Sequence, residues 1–156
     1  MLKAQDIMTT QVTTVSPETT IEELGRLLIE KGISGAPVID SEGRLFGIVT
    51  ENDLIRQNSR LHIPTVVRLF DAFIPIGGSG RVEEEIRRMS ASTVAEICTR
   101  KVITVAPGAP LDEVATTMSE SRVHLLPVLD QGRLVGIIGK MDVIKGTFSD
   151  RDQQKP

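Results

Sequence analysis

One segment of this chain occurs twice, and that recurrence limits the fold more than any other feature. GISGAPVIDSEGRLFGIVTENDL runs from Gly32 to Leu54, and RVHLLPVLDQGRLVGIIGKMDV runs from Arg122 to Val143. Each copy reads as an apolar strand through Pro-Val, a turn carrying Asp and Gly, a second apolar strand, and a polar tetrad closing on Asp. This is the pattern of strand, hairpin, strand and helix start. Pro37 and Pro127 are 90 residues apart, whereas Gly47 and Gly136, like Asp53 and Asp142, are 89 apart. One residue has dropped out of the second turn. Ser41, Glu42 and Gly43 suit a type I turn with a glycine bulge, while Asp130-Gln131-Gly132 is tighter. A slip confined to the loop leaves both strands in register.

The flanks repeat as well. Gln5-Asp6-Ile7-Met8 matches Val94-Ala95-Glu96-Ile97-Cys98, and Val12 to Pro17 matches Val102 to Pro107. A helix is predicted from Pro17 to Lys31, with Ser16 as N-cap, Pro17 at the first helical position and Ile21, Leu24, Leu27 and Leu28 at helical spacing. Gly32 can take the left-handed conformation that ends it. Leu111, Val114, Ala115 and Met118 give the second copy the same stripe. The strands Ala36 to Ile39 and Leu45 to Val49 are nearly continuous apolar runs, as expected of a sheet covered on both faces. The repeats are thus placed at 4–58 and 94–150, with an insert at 59–93 and a polar tail at 151–156.

The insert is too long and apolar for a simple linker. Its sequence predicts one helix opening at Pro64 (TVVRLFDAF), a break at Gly77 to Gly80, and a second helix from Arg81 to Met89. There Glu83 and Glu84 stand four residues before Arg87 and Arg88, the spacing of solvent-facing ion pairs.

The formal net charge of −3 leaves no basic footprint for nucleic acid. Cys98 is the only cysteine, so no intramolecular disulfide is possible. The opening Met-Leu-Lys-Ala-Gln lacks a signal peptide's apolar core, and a cytoplasmic location is expected. No apolar run approaches the roughly 20 residues of a membrane span, so no membrane insertion is expected.

In order and spacing, DIMT, VTTVSP, GISGAPVID and GRLFGIVTENDL, with their second set, resemble a tandem pair of cystathionine beta-synthase (CBS) domains, often called a Bateman module. The resemblance implies an α+β fold of two β-α-β-β-α repeats, packed sheet to sheet about a pseudo-twofold axis, with a nucleotide cleft on each side. It also implies a disc-shaped homodimer, a regulatory ligand of the adenosine class and no obligatory cofactor.

The chemistry such a ligand needs can be matched to residues. A carboxylate can accept from both vicinal ribose hydroxyls at once, the role that the resemblance assigns to Asp53 and Asp142. The helix start at Thr50-Glu51-Asn52-Asp53 offers N–H groups and a hydroxyl to phosphate. Apolar walls for adenine come from the strands at Pro37 and Pro127, beside Val12 to Thr14 and Val102 to Thr104. T-x-x-D is also close to a capping box, so Thr50 and Asp53 can equally serve the helix itself. In the second copy Gly139 stands where the first has Thr50, and Lys140 follows it, a cation suited to phosphate. Two unequal sites are therefore expected. Family members carry basic residues just before the position of Pro127 that reach the phosphate, which here selects Arg122 and His124.

No nucleophile elbow, phosphate loop or metal-ligand spacing is present, so the chain is not read as an enzyme. Two functions remain. One is a sensor in which AMP, ADP, ATP or S-adenosylmethionine shifts the module's geometry and alters an unidentified protein partner. The other is an interaction module with ligand-free clefts that dimerises or docks through its helices.

Overall fold

The computed structural model describes residues 1–58 and 92–153. The expected insert helices and the Gly77 to Gly80 break lie outside the described residues, as does the end of the polar tail. The chain is α+β. Its elements are α1 (Ala4–Ile7), α2 (Ile21–Lys31), β1 (Gly35–Ile39), β2 (Leu45–Thr50), a helix at 51–58, α3 (Val94–Ile97), α4 (Leu111–Ser121), β3 (Leu125–Asp130), β4 (Arg133–Gly139) and α5 (Lys140–Gln153). The strands form two hairpin sheets, β1 with β2 and β3 with β4.

The two turns differ as their sequences require. Asp40 opens the first: its carboxylate accepts from the backbone N–H groups of Glu42 and Arg44, both at 2.9 Å, and Gly43 takes the positive φ of 79° that a glycine bulge needs. In the second, Asp130 pairs directly with Arg133, and Gln131 and Gly132 both have positive φ, 50° and 81°. That is the two-residue turn matched to strand twist. The pairing of β3 with β4 also shifts register between Val128 and Leu129.

Helix α2 starts later than its sequence suggests. Thr20, not Ser16, is the N-cap: its side chain accepts from Glu23 N (3.1 Å) while the Glu23 carboxylate accepts from Thr20 N (3.2 Å). Ser16 to Thr19 form a separate turn, closed by Thr19 N to Ser16 O at 3.1 Å. The carbonyls of Pro17 and Thr19 are thereby left free to accept from Ala95 N and Val94 N (3.0 and 2.8 Å). The predicted end is correct, with Gly32 at φ 62°. In α4 the equivalent position is Arg122, also left-handed at φ 54°.

Those bonds to Ala95 and Val94 show which segments complete each core. Residues 92–99 pack with the first hairpin: Ile48 and Thr99 exchange two backbone hydrogen bonds (2.9 and 2.8 Å), and Ile21 N donates to Ser92 O (3.1 Å). Residues 1–9 instead serve the second repeat. Ala4 N donates to Ala109 O (2.8 Å), Gln5 N to Pro107 O (2.9 Å), and Thr9 and Ile137 exchange bonds of 2.9 and 3.0 Å. Two compact units result. One holds Met1–Thr14, Ile39–Phe46 and the described part of Arg100–Pro156; the other holds Val15–Val38 and the described part of Gly47–Thr99.

The core of the first of these units is Ala4, Val105, Ala109, Val114, Met118, Leu126, Val128 and Ile138. Seven of these have buried equivalents in the other unit: Val94, Val15, Leu24, Leu28, Ala36, Val38 and Val49. The exchange of lead segments therefore preserves the repeat position by position. Leu24 and Ala36 stand where the other copy has Val114 and Leu126, so the equivalent positions stay apolar while their sizes differ. β1 and β3 are buried over most of their length, as continuous apolar runs should be, but β2 and β4 alternate towards their ends, at Gly47 and Val49 and at Gly136 and Ile138. Only one face of these outer strands meets the core.

Candidate functional site

Asp53 is 8% exposed, one of two buried polar residues among those described. It sits in the first turn of the helix at 51–58, where its Oδ2 accepts from Thr50 N at 2.8 Å and from the Thr50 hydroxyl at 3.4 Å. Asp142 repeats the arrangement at the start of α5, with Oδ2 accepting from Gly139 N at 2.8 Å. Both aspartates therefore close the junction between a strand and the following helix, which is the capping half of the expectation. The cap uses one carboxylate oxygen. Oδ1 is left to accept from a ligand, so capping and ribose recognition are compatible.

Pro37 and Pro127 lie fully buried in β1 and β3. Pro37 O accepts from Val15 N and Pro127 O from Val105 N, each at 3.1 Å, through single parallel bridges that replace the predicted first strands. Thr14 and Thr104 immediately precede Val15 and Val105. Thr14 is exposed and Thr104 half-buried, as are Val12 and Val102.

Around the second repeat, Lys140 opens α5 and is exposed, and Arg122 is exposed at the end of α4. Neither forms an ion pair among the described residues. His124 is half-buried, and its Nε2 is enclosed without a hydrogen-bond partner. An enclosed ring nitrogen without a partner costs about 1–3 kcal/mol if nothing satisfies it. The first repeat has no counterpart to these side chains, so the inequality between repeats is built into the residues themselves.

Beside Asp53 the structure holds a cavity of about 90 Å³ lined by Asp53, Arg56, Gln57, Glu96 and Ile97. Arg56 and Gln57 follow Asp53 at i+3 and i+4, so their presence was readable from helical spacing. Glu96 and Ile97 come from α3, and nothing in the sequence placed that segment there. The cavity has room for a few waters and is smaller than the several hundred Å³ of a typical ligand pocket. No group of three or more His, Cys, Asp or Glu side chains among the described residues is arranged to hold a metal ion. No helix among them is long and apolar enough to cross a membrane.

The CBS domain profile matches residues 4–60 and 94–148. The chain belongs to the CBS domain family. The uncharacterized protein MJ1426 of Methanocaldococcus jannaschii is 30% identical over 130 residues, covering 77% of this chain and 76% of that protein. Other curated relatives are longer, and the chain spans 43% of one and 58% of another. Among solved structures, the CBS domain pair of protein MJ0100 in complex with 5-methylthioadenosine and S-adenosyl-L-methionine is similar, with a TM-score of 0.72, 26% identity, and coverage of 97% of this chain and 98% of that one. CBSX2 in complex with AMP gives a TM-score of 0.75 at 23% identity, covering 97% and 99%, a likeness of fold. Tandem CBS repeats are thus the architecture of this chain.

Proposed function

We propose that this chain is a regulatory module that binds an adenosine compound, AMP, ADP, ATP or S-adenosylmethionine, and passes a conformational change to a partner protein. The observation that carries the reading is the pair of aspartates. Each is fixed through Oδ2 to a backbone N–H and keeps Oδ1 for a ribose hydroxyl. The adenosine ligands in the names of the similar structures point to the same chemical class. Val12, Thr14, Pro37, Thr50, Thr104, Pro127 and Lys140 are the further ligand residues of this reading, and Arg122 and His124 are its basic residues for a ligand phosphate. The free energy available to the switch is the ligand's difference in affinity for two states. The module works as a homodimer in the cytoplasm, without catalysing a reaction.

A second reading is favoured by one fact: both aspartates already work as caps. A CBS pair without ligand, acting as an interaction module, would keep them for that alone.

With no Trp or Tyr in the chain, adenine retained through purification stands out in the ultraviolet spectrum near 260 nm. Calorimetry against the four compounds ranks them. Removing a carboxylate that accepts two ligand hydrogen bonds should weaken binding at least about tenfold. Asp53→Ala and Asp142→Ala are therefore expected to lower affinity, with Asp53→Asn and Asp142→Asn retaining the cap as folding controls. If both alanine variants bind as the wild type does, the ribose assignment is wrong. If none of the four compounds binds, the interaction module stands.

A further inference from the structure

The two repeats seat their final helices differently. Gly146 of α5 stands where the helix at 51–58 has Gln57, and Asp6 and Ile7 of α1 stand where α3 has Glu96 and Ile97. A Cβ at Gly146 would lie 2.9 Å from Ile7 Cγ2 and 3.5 Å from Leu111 Cδ2. A glycine inside a helix is unfavourable, and this one is what lets α5 close on α1. Gln57 has the Cβ that Gly146 lacks, so the helix at 51–58 cannot approach α3 as closely. The cavity of about 90 Å³ is lined by Gln57 and Ile97, the counterparts of the two residues that touch in the other unit.

The charges differ with the packing. Asp6 is committed to its own helix, its carboxylate accepting from Lys3 N at 2.8 Å. Glu96 caps nothing in α3, and among the described residues neither Glu96 nor Arg56 makes a hydrogen bond or ion pair. The gap in the Asp53 repeat is thus faced by one guanidinium, of Arg56, and two carboxylates, of Asp53 and Glu96. Ligand hydroxyls that donate to Asp53 Oδ1 compete with Arg56 for that carboxylate, and Glu96 across the gap becomes the better partner for the guanidinium.

We propose that the helix at 51–58 is the moving part of the switch: a ligand bound at Asp53 draws it towards α3 through an Arg56–Glu96 ion pair, while α5, already closed on α1, stays in place. The proposal rests on the Asp53 site of the functional reading and adds the element that moves. Gln57 opposes the closure and so holds the ligand-free state open.

Amide hydrogen exchange of the full chain, read by mass spectrometry with and without ligand, tests the movement. AMP and S-adenosylmethionine are the probes, and calorimetry establishes whether each binds. With a bound probe, residues 54–58 are expected to exchange about tenfold more slowly, and the equivalent residues 143–147 at an unchanged rate. Ligand contact by itself slows amides beside Asp53, so Glu96→Gln separates the two causes. It removes the ion pair, leaves Asp53 untouched, and is expected to bind the probe with the slowing lost; Arg56→Gln is a second variant with the same expectation. Slowing that survives in both variants overturns the closure, as does equal slowing of 143–147. Gln57→Gly, which supplies the residue of the closed repeat, is expected to bind the probe at least about threefold tighter. An unchanged Kd overturns the role of Gln57. Heat of binding without any slowing overturns the closure and leaves the ligand reading standing, whereas no heat from either probe overturns the functional reading and the closure with it.

Discussion

A methyl group added at Gly47 should break the join between β2 and the segment that follows α3. An alanine Cβ there would stand 2.7 Å from the Thr99 carbonyl oxygen and 2.9 Å from the Cys98 sulfur. Ordinary contact begins near 3.4 Å, so the backbone oxygen would have to retreat by about 0.7 Å. That oxygen accepts from Ile48 N at 2.9 Å, and Thr99 N returns a bond to Ile48 O at 2.8 Å. Overpacking of this kind costs about 1–3 kcal/mol, and weakening two backbone bonds adds about 1 kcal/mol. The loss of glycine's freedom in the unfolded chain gives back about 0.5 kcal/mol. The expected net cost is about 2–3 kcal/mol. With a urea dependence of about 2 kcal/mol per molar, the unfolding midpoint should fall by about 1 M. Gly25→Ala is the control, because it lies inside α2 with nothing within 4 Å of its Cβ position and should gain up to about 1 kcal/mol. A Gly47→Ala midpoint equal to that of the wild type would refute the close approach of the segment to β2.

The equivalent change Gly136→Ala meets the flexible Met8 side chain, with its Cγ at 2.7 Å. It should cost about 1 kcal/mol, less than Gly47→Ala, in the same urea titration. Gly139→Thr meets only ordinary contacts, Asp142 Oδ2 at 3.6 Å and Leu125 Cδ2 at 3.9 Å. It should fold normally and stabilise by about 0.5 kcal/mol, since Gly weakens a strand and the first repeat already carries Thr at this position. The backbone N–H of Arg44, with help from that of Glu42 and the Arg44 guanidinium, holds the Asp40 carboxyl below its usual range. A lowered folded-state value adds stability above the ordinary aspartate pKa of about 3.9, and that stability is lost as pH falls through the folded value. Urea titrations of Asp40→Asn against the wild type should therefore differ at neutral pH and converge in acid.

The hairpins were legible because each turn declares itself chemically. Gly43 and Gly132 supply the positive φ values, and the missing residue between Asp130 and Arg133 follows from the shorter loop. The start of α2 was misread because Ser16-Pro17 is a good opening and Thr20-x-x-Glu23 is a better one, and only the demand of Val94 and Ala95 for nearby carbonyls decides between them. The exchange of lead segments could not be read at all. Ala4 and Val94 fill equivalent positions in equivalent cores, so apolar pattern alone is the same for either pairing. At the candidate site, Thr50 and Asp53 were visible as a local motif, whereas Glu96 comes to line the same cavity as Asp53 through that exchange.

The exchange also sets an order of assembly during synthesis. The unit built on β1 and β2 lacks its last buried residue until Val94 has emerged, and its final backbone pairing until Thr99 has. The other unit needs both Ala4 and Ile138, which are 134 residues apart in the chain. At about 10 residues per second, Ala4 waits roughly 13 s for the strand that buries it. During that interval Ile7 and Met8, which pack against the same core, are also without their partners.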